Sequence, residues 1–306
     1  MALRLDLRHY ETVAAIVELG SMTAAAKELA STQSALSHRL AEAERRLGVR
    51  LFDRGSRREL RPTRAGLAVH QAASRALAEL ERCEASVVAI PGTITARVKL
   101  AVGSYDCYHW YPSFLDRIRI DEPSVELDLV IVGDTPGQAL AAGAVDLVLA
   151  PAKPTGPVEC LQAFTDELVL TTAPGHPLAG RPHCRAEELA GEHYLTYNPV
   201  PTPGFEYDRF IRPAAVYPEL VTVVPTTGAI AELVAAGVGV SILSRWAQRP
   251  LLEANRLAAV RCSPDGLPLD WHVVLRNQEA ADSPIRRIAA ALADHVRIDE
   301  VEAARS

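Results

Sequence analysis

Gln33, Ser34, Ser37 and His38 place small or planar hydrogen-bonding groups at helical spacing, just after Thr32 and just before Arg39. Such groups suit the edges of stacked bases, where a good pair is worth about 1 to 3 kcal/mol of discrimination. Arg54, Arg57 and Arg58 follow, and guanidinium groups suit phosphate oxygens, whose contacts fix register and make affinity fall with salt. A second concentration of chemistry is Ser104-Tyr105-Asp106-Cys107-Tyr108-His109-Trp110. With Asp134, Thr135, Asn198, Thr226 and Thr227 it supplies what a small polar ligand needs: Ser104 and Thr227 as hydroxyl donors, and Asp106 or Asp134 as partner for an ammonium. Tyr108, Trp110 and Tyr111 are individually more often core aromatics than ligand walls.

The first set requires a helical hairpin. Thr23 can cap a helix whose Ala26 and Leu29 face inward, and Thr32 a second helix with Leu36, Leu40, Ala43 and Leu47 on its apolar face. This reads as a helix-turn-helix, although an ordinary hairpin with a solvated polar face has the same short pattern. The charge that follows favours the former. Nine arginines stand against four acidic residues between Arg39 and Arg64, and residues 1–90 carry +3 in a chain of net charge −6. A basic head on an acidic body suggests a nucleic-acid partner. Within the arginine tract, Leu51 to Pro62 reads as a hairpin turning at Gly55, with Leu51, Phe52 and Leu60 anchoring its stems, hence a wing.

After Thr63, a helix cap, Val69, Ala73, Ala76, Leu80, Cys83 and Val87 recur at spacings of four and three, a seam suited to pairing with a second copy. Packing of this helix on its own domain is the alternative. Pro91-Gly92 ends it. From Arg97 the texture becomes alternating strands and helices, predicting an α/β body with parallel sheet. Strands are predicted near 98–102, 125–132, 146–150, 167–171, 194–197, 220–224, 238–244 and 271–275, and helices near 111–119, 136–142, 205–212, 228–236 and 284–296. Ligands of open α/β sheets bind beyond the strands' carboxyl ends, at helix N-termini. That rule selects the segments at Gly103–Trp110, Gly133–Thr135, Asn198–Phe205 and Pro225–Gly228, with a helix start near Tyr108 as a source of backbone donors.

The order Gly20-Ser21, Ala24-Ala25-Ala26, Leu29, Thr32-Gln33-Ser34-Ala35-Leu36-Ser37, Leu40, Glu44, Leu47-Gly48, Leu51-Phe52, Arg54, Thr63 and Gly66 resembles the N-terminal region of LysR-type transcriptional regulators. The resemblance extends over essentially the whole chain. It implies a winged helix-turn-helix at 1–62, a linker helix at 63–91 that dimerises, and a two-lobed, Rossmann-like effector domain at 92–306 of the periplasmic-binding-protein type. One lobe would comprise about 92–162 and 269–306, the other 163–268, with crossover strands near 161–168 and 269–275. The implied function is sequence-specific binding of an interrupted palindromic operator, governed by a small-molecule effector between the lobes, in a homodimer or homotetramer that can meet RNA polymerase. Thr32-Gln-Ser-Ala-Leu-Ser-His38 and Leu100-Ala-Val-x-x-x-x-Cys107-x-x-Trp110 are most similar to the family's regulators of methionine biosynthesis, implying homocysteine or another amino-acid-like effector. Gly103 stands where those regulators carry a glutamate.

Other chemistries fit less well. Cysteines at 83, 107, 160, 184 and 262 form no CxxC and no paired spacing, which argues against a disulfide framework or zinc site. Cys107 and His109 lie two residues apart and diverge on a helix, so they make a poor nucleophile and base; His183-Cys184 makes a poor metal pair. Gly237-Val-Gly239 lacks the third glycine of a dinucleotide fingerprint. No apolar run is long enough to span a membrane and Met1 to Tyr10 carries charges, so the expected location is cytoplasmic. A two-lobed solute-binding protein or cleft enzyme, without cofactor-binding motifs and without a role on DNA, is the alternative reading; it leaves the basic head unexplained.

Overall fold

The structure, a computed structural model, describes residues 3–54, 60–87, 94–132, 136–154, 156–197, 204–277 and 279–303. The chain divides into two compact units. One comprises residues 1–97 with 124–126 and 137–146, the other residues 98–123, 127–136 and 147–306.

The first unit opens with α1 (Leu7–Leu19), α2 (Met22–Glu28) and α3 (Gln33–Leu47), then the antiparallel pair β1 (Phe52–Arg54) and β2 (Leu60–Pro62), then α4 (Arg64–Val87). Gly20 and Gly48 stop α1 and α3 in the left-handed conformation that glycine adopts without strain. Ser21, not Thr23, caps α2: the Ser21 hydroxyl accepts from the Ala24 N–H, and Thr23 lies exposed inside the first turn. Thr32 caps α3 as expected, accepting from the Ala35 N–H at 3.2 Å. Leu5, Val13, Ile16, Ala25, Leu36, Leu40, Leu51 and Phe52 form the core. Apolar side chains from three helices and the wing base thus fix the hairpin and leave its polar face outside. Thr63 caps α4, and a Cβ at Gly66 would collide with the Leu51 carbonyl, so only glycine lets α4 start against the wing.

The second unit holds β3 (Ala96–Val102), α5 (Tyr111–Asp121), β4 (Val125–Leu129), α6 (Pro136–Ala142), β5 (Leu147–Ala150) and β6 (Val158–Thr172), then β7 (His193–Thr196), β8 (Leu220–Val223), α7 (Thr227–Ala235), β9 (Ser241–Ser244), α8 (Arg249–Glu253), β10 (Ala258–Arg261), β11 (Pro268–Arg276) and α9 (Pro284–Ala303), apart from the parts of β3, β4 and α6 that fall within residues 1–97, 124–126 and 137–146. Its principal sheet runs β10-β6-β11-β5-β3-β4, with β9 also paired to β6. The fold class is mixed α/β, and the parallel expectation is corrected: β3 and β5 are parallel, as are β7 and β8, but every pairing of β6 and β11 is antiparallel. The reason is the crossing. β6 and β11 pair along their length, from Pro268 opposite Glu167 to Arg276 opposite Val158, and serve both lobes. The strand predicted at 167–171 is therefore the end of a 15-residue strand. The strand predicted to 132 stops at Leu129, and β10 and α8 have no counterpart in the sequence reading.

Candidate functional site: a nucleic-acid interface and an inter-lobe cleft

Gln33, Ser34, Ser37 and His38 are all exposed along the first turns of α3, on the side opposite Leu36 and Leu40; Thr32 is exposed at the cap and Arg39 is half-buried. The helix carrying them is held at its far end, where Glu44 Oε1 accepts from the Leu51 N–H at 2.8 Å and the Phe52 N–H at 3.2 Å. One carboxylate thereby fixes the wing's first strand against the recognition helix. The wing stems stand as expected, with Leu51 and Phe52 buried. The Arg54 backbone belongs to β1; its side chain, and Arg57 and Arg58 entirely, lie outside the described residues.

The seam on α4 is corrected in part. Val69 packs against the helix-turn-helix core and Ala73 is fully buried, because the helix's first turns cover their own domain. Ala76 and Leu80 are exposed; the side chains of Cys83 and Val87 lie outside the described residues.

In the second unit, Ser104, two residues past the end of β3, stands at φ +65°, a left-handed conformation that serine rarely takes, with its side chain exposed. Across from it Thr226 caps α7 by accepting from the Ala229 N–H, and Thr227 is buried. The Asp106 N–H donates to Thr227 Oγ1 at 2.9 Å, and Asp106 Oδ2 accepts from the Gly228 N–H at 3.4 Å. Asp106 therefore faces the N-terminus of α7 instead of standing free for a ligand's ammonium, since a helix N-terminus attracts the nearest anion. Asp134, Thr135 and Asn198 lie outside the described residues.

The remaining expected groups turn inward. Tyr105 is buried, its ring centroid 6.0 Å from Tyr197 and 5.6 Å from Trp271, and its hydroxyl accepts from the Ser244 N–H at 3.1 Å. Trp110 is buried against Tyr111 and Phe114, and its Nε1 donates to the Cys107 carbonyl at 2.9 Å. The helix start expected near Tyr108 is corrected to Tyr111, where Pro112 enters the first turn; the residues before it are spent on the aromatic core. Burial pushes the Cys107 thiol well up, so it is no thiolate. His109 lies edge-on to Trp246 with a buried, unbonded Nε2, and burial, aided by the Arg249 charge, pushes it down to about 4.

Two carboxylates escaped sequence reading. Asp166 on β6 is buried at the crossing and accepts from Ser244 Oγ at 2.5 Å, the Trp246 N–H at 3.1 Å and Trp271 Nε1 at 3.2 Å. Burial still leaves its carboxyl above the usual range. Its signal was a charged pair, Asp166-Glu167, directly before the apolar run Leu168-Val169-Leu170. Glu206, before the π-helical turn Tyr207–Ile211, has a buried Oε2 without a hydrogen-bond partner, and burial pushes it up to about 7. Cys184 and Cys262, far apart in sequence, are both buried on adjacent segments of the lobe, where the Cys184 N–H donates to the Arg261 carbonyl at 2.8 Å and His183 pairs with Arg261. Gly239 packs where any Cβ would strike the His193 carbonyl, so glycine is required there for packing.

A helix-turn-helix with an exposed polar recognition face, joined to a two-lobed domain crossed by two antiparallel strands, defines a DNA-binding regulator with an effector domain. Residues 7–67 match the bacterial regulatory helix-turn-helix model of the lysR family, and residues 91–297 the LysR substrate binding domain model. The chain belongs to the LysR family of transcriptional regulators. It is 31% identical over 294 residues to the HTH-type transcriptional regulator MetR of Salmonella typhimurium, covering 95% of this chain and 90% of that protein. The regulatory domain of MetR from N. meningitidis is similar at 26% identity and a TM-score of 0.55, over 67% of this chain and 95% of that one. ArgP from Mycobacterium tuberculosis shares the fold at 22% identity and a TM-score of 0.68, over 94% and 96%. The relatives are regulators, and the chain is a regulator and not an enzyme. No helix among the described residues is long and apolar enough to cross a membrane.

Proposed function

We propose that this regulator senses an amino-acid-like metabolite of sulfur metabolism between its two effector lobes and thereby alters its hold on an interrupted palindromic operator. The similarity to MetR proteins supports the pathway. The observation that carries the site is the contact of Asp106 with Thr227 and Gly228, which joins the loop after β3 to the start of α7 across the lobes. A ligand carboxylate entering there meets the exposed Ser104 hydroxyl, the proton of the Thr227 hydroxyl, which uses its oxygen toward Asp106, and the positive end of α7. The ligand then binds the closed arrangement better than the open one, as any effector must to shift a population.

Assembly follows the same reading. The exposed Ala76 and Leu80 on α4 offer a surface to a second copy. Leu129 at the end of β4, and Leu220, Val221 and Val223 on β8, expose apolar side chains at the ends of two sheets, a type of edge that soluble proteins cover. Pairing of these edges between copies would make a tetramer of linker-paired dimers, a geometry suited to a palindromic site and to contact with RNA polymerase. Thermal-shift screening of sulfur amino acids tests the sensor, since a cleft ligand must raise the melting temperature by mass action. The expected result is a shift abolished or weakened roughly ten- to a hundredfold in affinity by Ser104→Ala, with basal operator affinity unchanged. An undiminished shift in Ser104→Ala would move the ligand elsewhere.

A further inference from the structure

The effector reading leaves the partner of the ligand's amine unassigned. Gly103 offers no charge, Asp106 faces the α7 N-terminus, Asp166 already accepts from three donors, and Asp270 accepts from Thr165 Oγ1 at 2.7 Å. Glu206 differs from all of these. Its Oε2 is buried and unbonded, and no basic side chain among the described residues stands against it. Two rings lie near it, Tyr105 from the loop after β3 and Tyr194 within β7, and Tyr197, just past the end of β7, packs on Tyr105. The Tyr105 and Tyr197 rings stand 6.0 Å apart and tilted by 52°, and Tyr197 and Glu206 are only partly covered. Glu206 is near enough to Tyr105 and Tyr194 that its charge adds to burial in raising both phenols.

An unpaired carboxylate in such a place is costly as an anion and calls for either a proton or a cation. Tyrosine faces attract cations but not carboxylates, so the rings and the acid select for the same ligand group. We propose that the buried, unbonded Glu206 carboxylate, beside the Tyr105 and Tyr194 rings, is the seat of a protonated amine on the effector. This rests on the inter-lobe effector reading and names the chemical class of the ligand: an α-amino acid whose carboxylate meets Ser104 and Thr227 while its ammonium meets Glu206. When the amine binds below about pH 7, the carboxyl releases its proton to solvent; the Tyr105 and Tyr194 phenols, pushed up by burial, stay neutral.

The test is calorimetry on the full-length protein with two probes of one skeleton, L-homocysteine and 4-sulfanylbutanoate, which lacks the amine. The wild type should prefer L-homocysteine by roughly 10- to 100-fold, as a charge-assisted hydrogen bond provides. Glu206→Gln should bring the two probes within about threefold by weakening only the amine, while Glu206→Asp keeps part of the preference. At pH 6 the heat of L-homocysteine binding should vary with the ionisation enthalpy of the buffer, reporting proton release, and Glu206→Gln should abolish that variation. A preference that survives in Glu206→Gln, equal binding of both probes by the wild type, or failure of L-homocysteine to bind overturns the assignment. If 4-sulfanylbutanoate alone binds and Ser104→Ala weakens it, the cleft reading stands and the amine seat falls. If Ser104→Ala leaves both probes untouched while Glu206→Gln removes the preference, the amine seat stands and the carboxylate subsite falls.

Discussion

The Asp106 N–H and the Thr227 hydroxyl oxygen, 121 residues apart in the chain, are 2.9 Å apart in the fold. The hydrogen bond joins the end of the first strand in one lobe to the first turn of a helix in the other. Thr227→Val keeps the shape and removes the acceptor, at a cost of about 0.5 to 1.5 kcal/mol to the joined arrangement. Effector affinity should fall about tenfold by calorimetry, while operator binding without effector stays within twofold.

The recognition face predicts a separation of sequence reading from phosphate binding. Ser34→Ala or His38→Ala should relax discrimination at particular base pairs by about 1 to 3 kcal/mol without changing stability, since both side chains are exposed. Arg57→Ala should weaken all sequences alike and lower the salt slope by about one unit. Operator variants titrated across salt concentrations check both; an altered base preference with an intact slope in Arg57→Ala would reverse the roles.

Glu44 should matter more for fold than for contact. Glu44→Ala leaves the Leu51 and Phe52 N–H groups without their acceptor, and each unsatisfied donor costs about 1 to 3 kcal/mol. A fall in melting temperature together with loss of operator binding is expected, and Glu44→Gln, whose amide oxygen still accepts, should recover most of the stability.

Leu80→Asp should leave the monomer's fold intact, because Leu80 is 44% exposed, yet prevent pairing through α4 by burying a carboxylate there. Sedimentation should show a smaller assembly and electrophoretic shift no operator binding. An unchanged assembly would remove α4 from the interface.

His109 and Glu206 make opposed contributions to pH dependence. His109 is held neutral at about 4, below its ordinary value, so the unfolded chain binds the extra proton and stability falls as pH drops from about 6.5 to 4. Glu206 is raised to about 7, so the folded chain binds the extra proton and stability falls as pH climbs from about 4.5 to 7. Each is worth on the order of 3 kcal/mol. Relative to wild type, His109→Gln should tilt the stability profile toward acid and Glu206→Gln toward neutral pH, measured by denaturant unfolding at pH 5 and pH 7.

The head was legible almost residue by residue because its signals are local. A cap such as Thr32, a stop such as Gly48 and a turn-by-turn apolar stripe such as Leu36, Leu40 and Ala43 all act within a few positions. Thr23 was misread because Ser21, two residues earlier, competes for the same role and wins. The positions of the crossing strands were legible too, but the antiparallel pairing of β6 with β11 depends on partners about a hundred residues apart. The cleft was legible least. Trp110 and Cys107 share a segment with Ser104, yet which of them points inward is decided by Phe114, Tyr111 and the crossing strands, and a short irregular segment has no periodicity to reveal it. Glu206 and the adjacency of the Cys184 and Cys262 segments are products of tertiary packing alone.

The placement of β11 between β5 and β6 also orders events during synthesis. The helix-turn-helix, its wing and α4 are complete in the first 87 residues, whereas the shared sheet lacks a central strand until Arg276 has emerged. At about 5 to 20 residues per second, a nascent chain carries a finished head for roughly 10 to 40 seconds before its effector domain can close. A ribosome that stops in this interval releases a head with no sensor attached, so truncated products of this gene should be operator-binding fragments deaf to the metabolite.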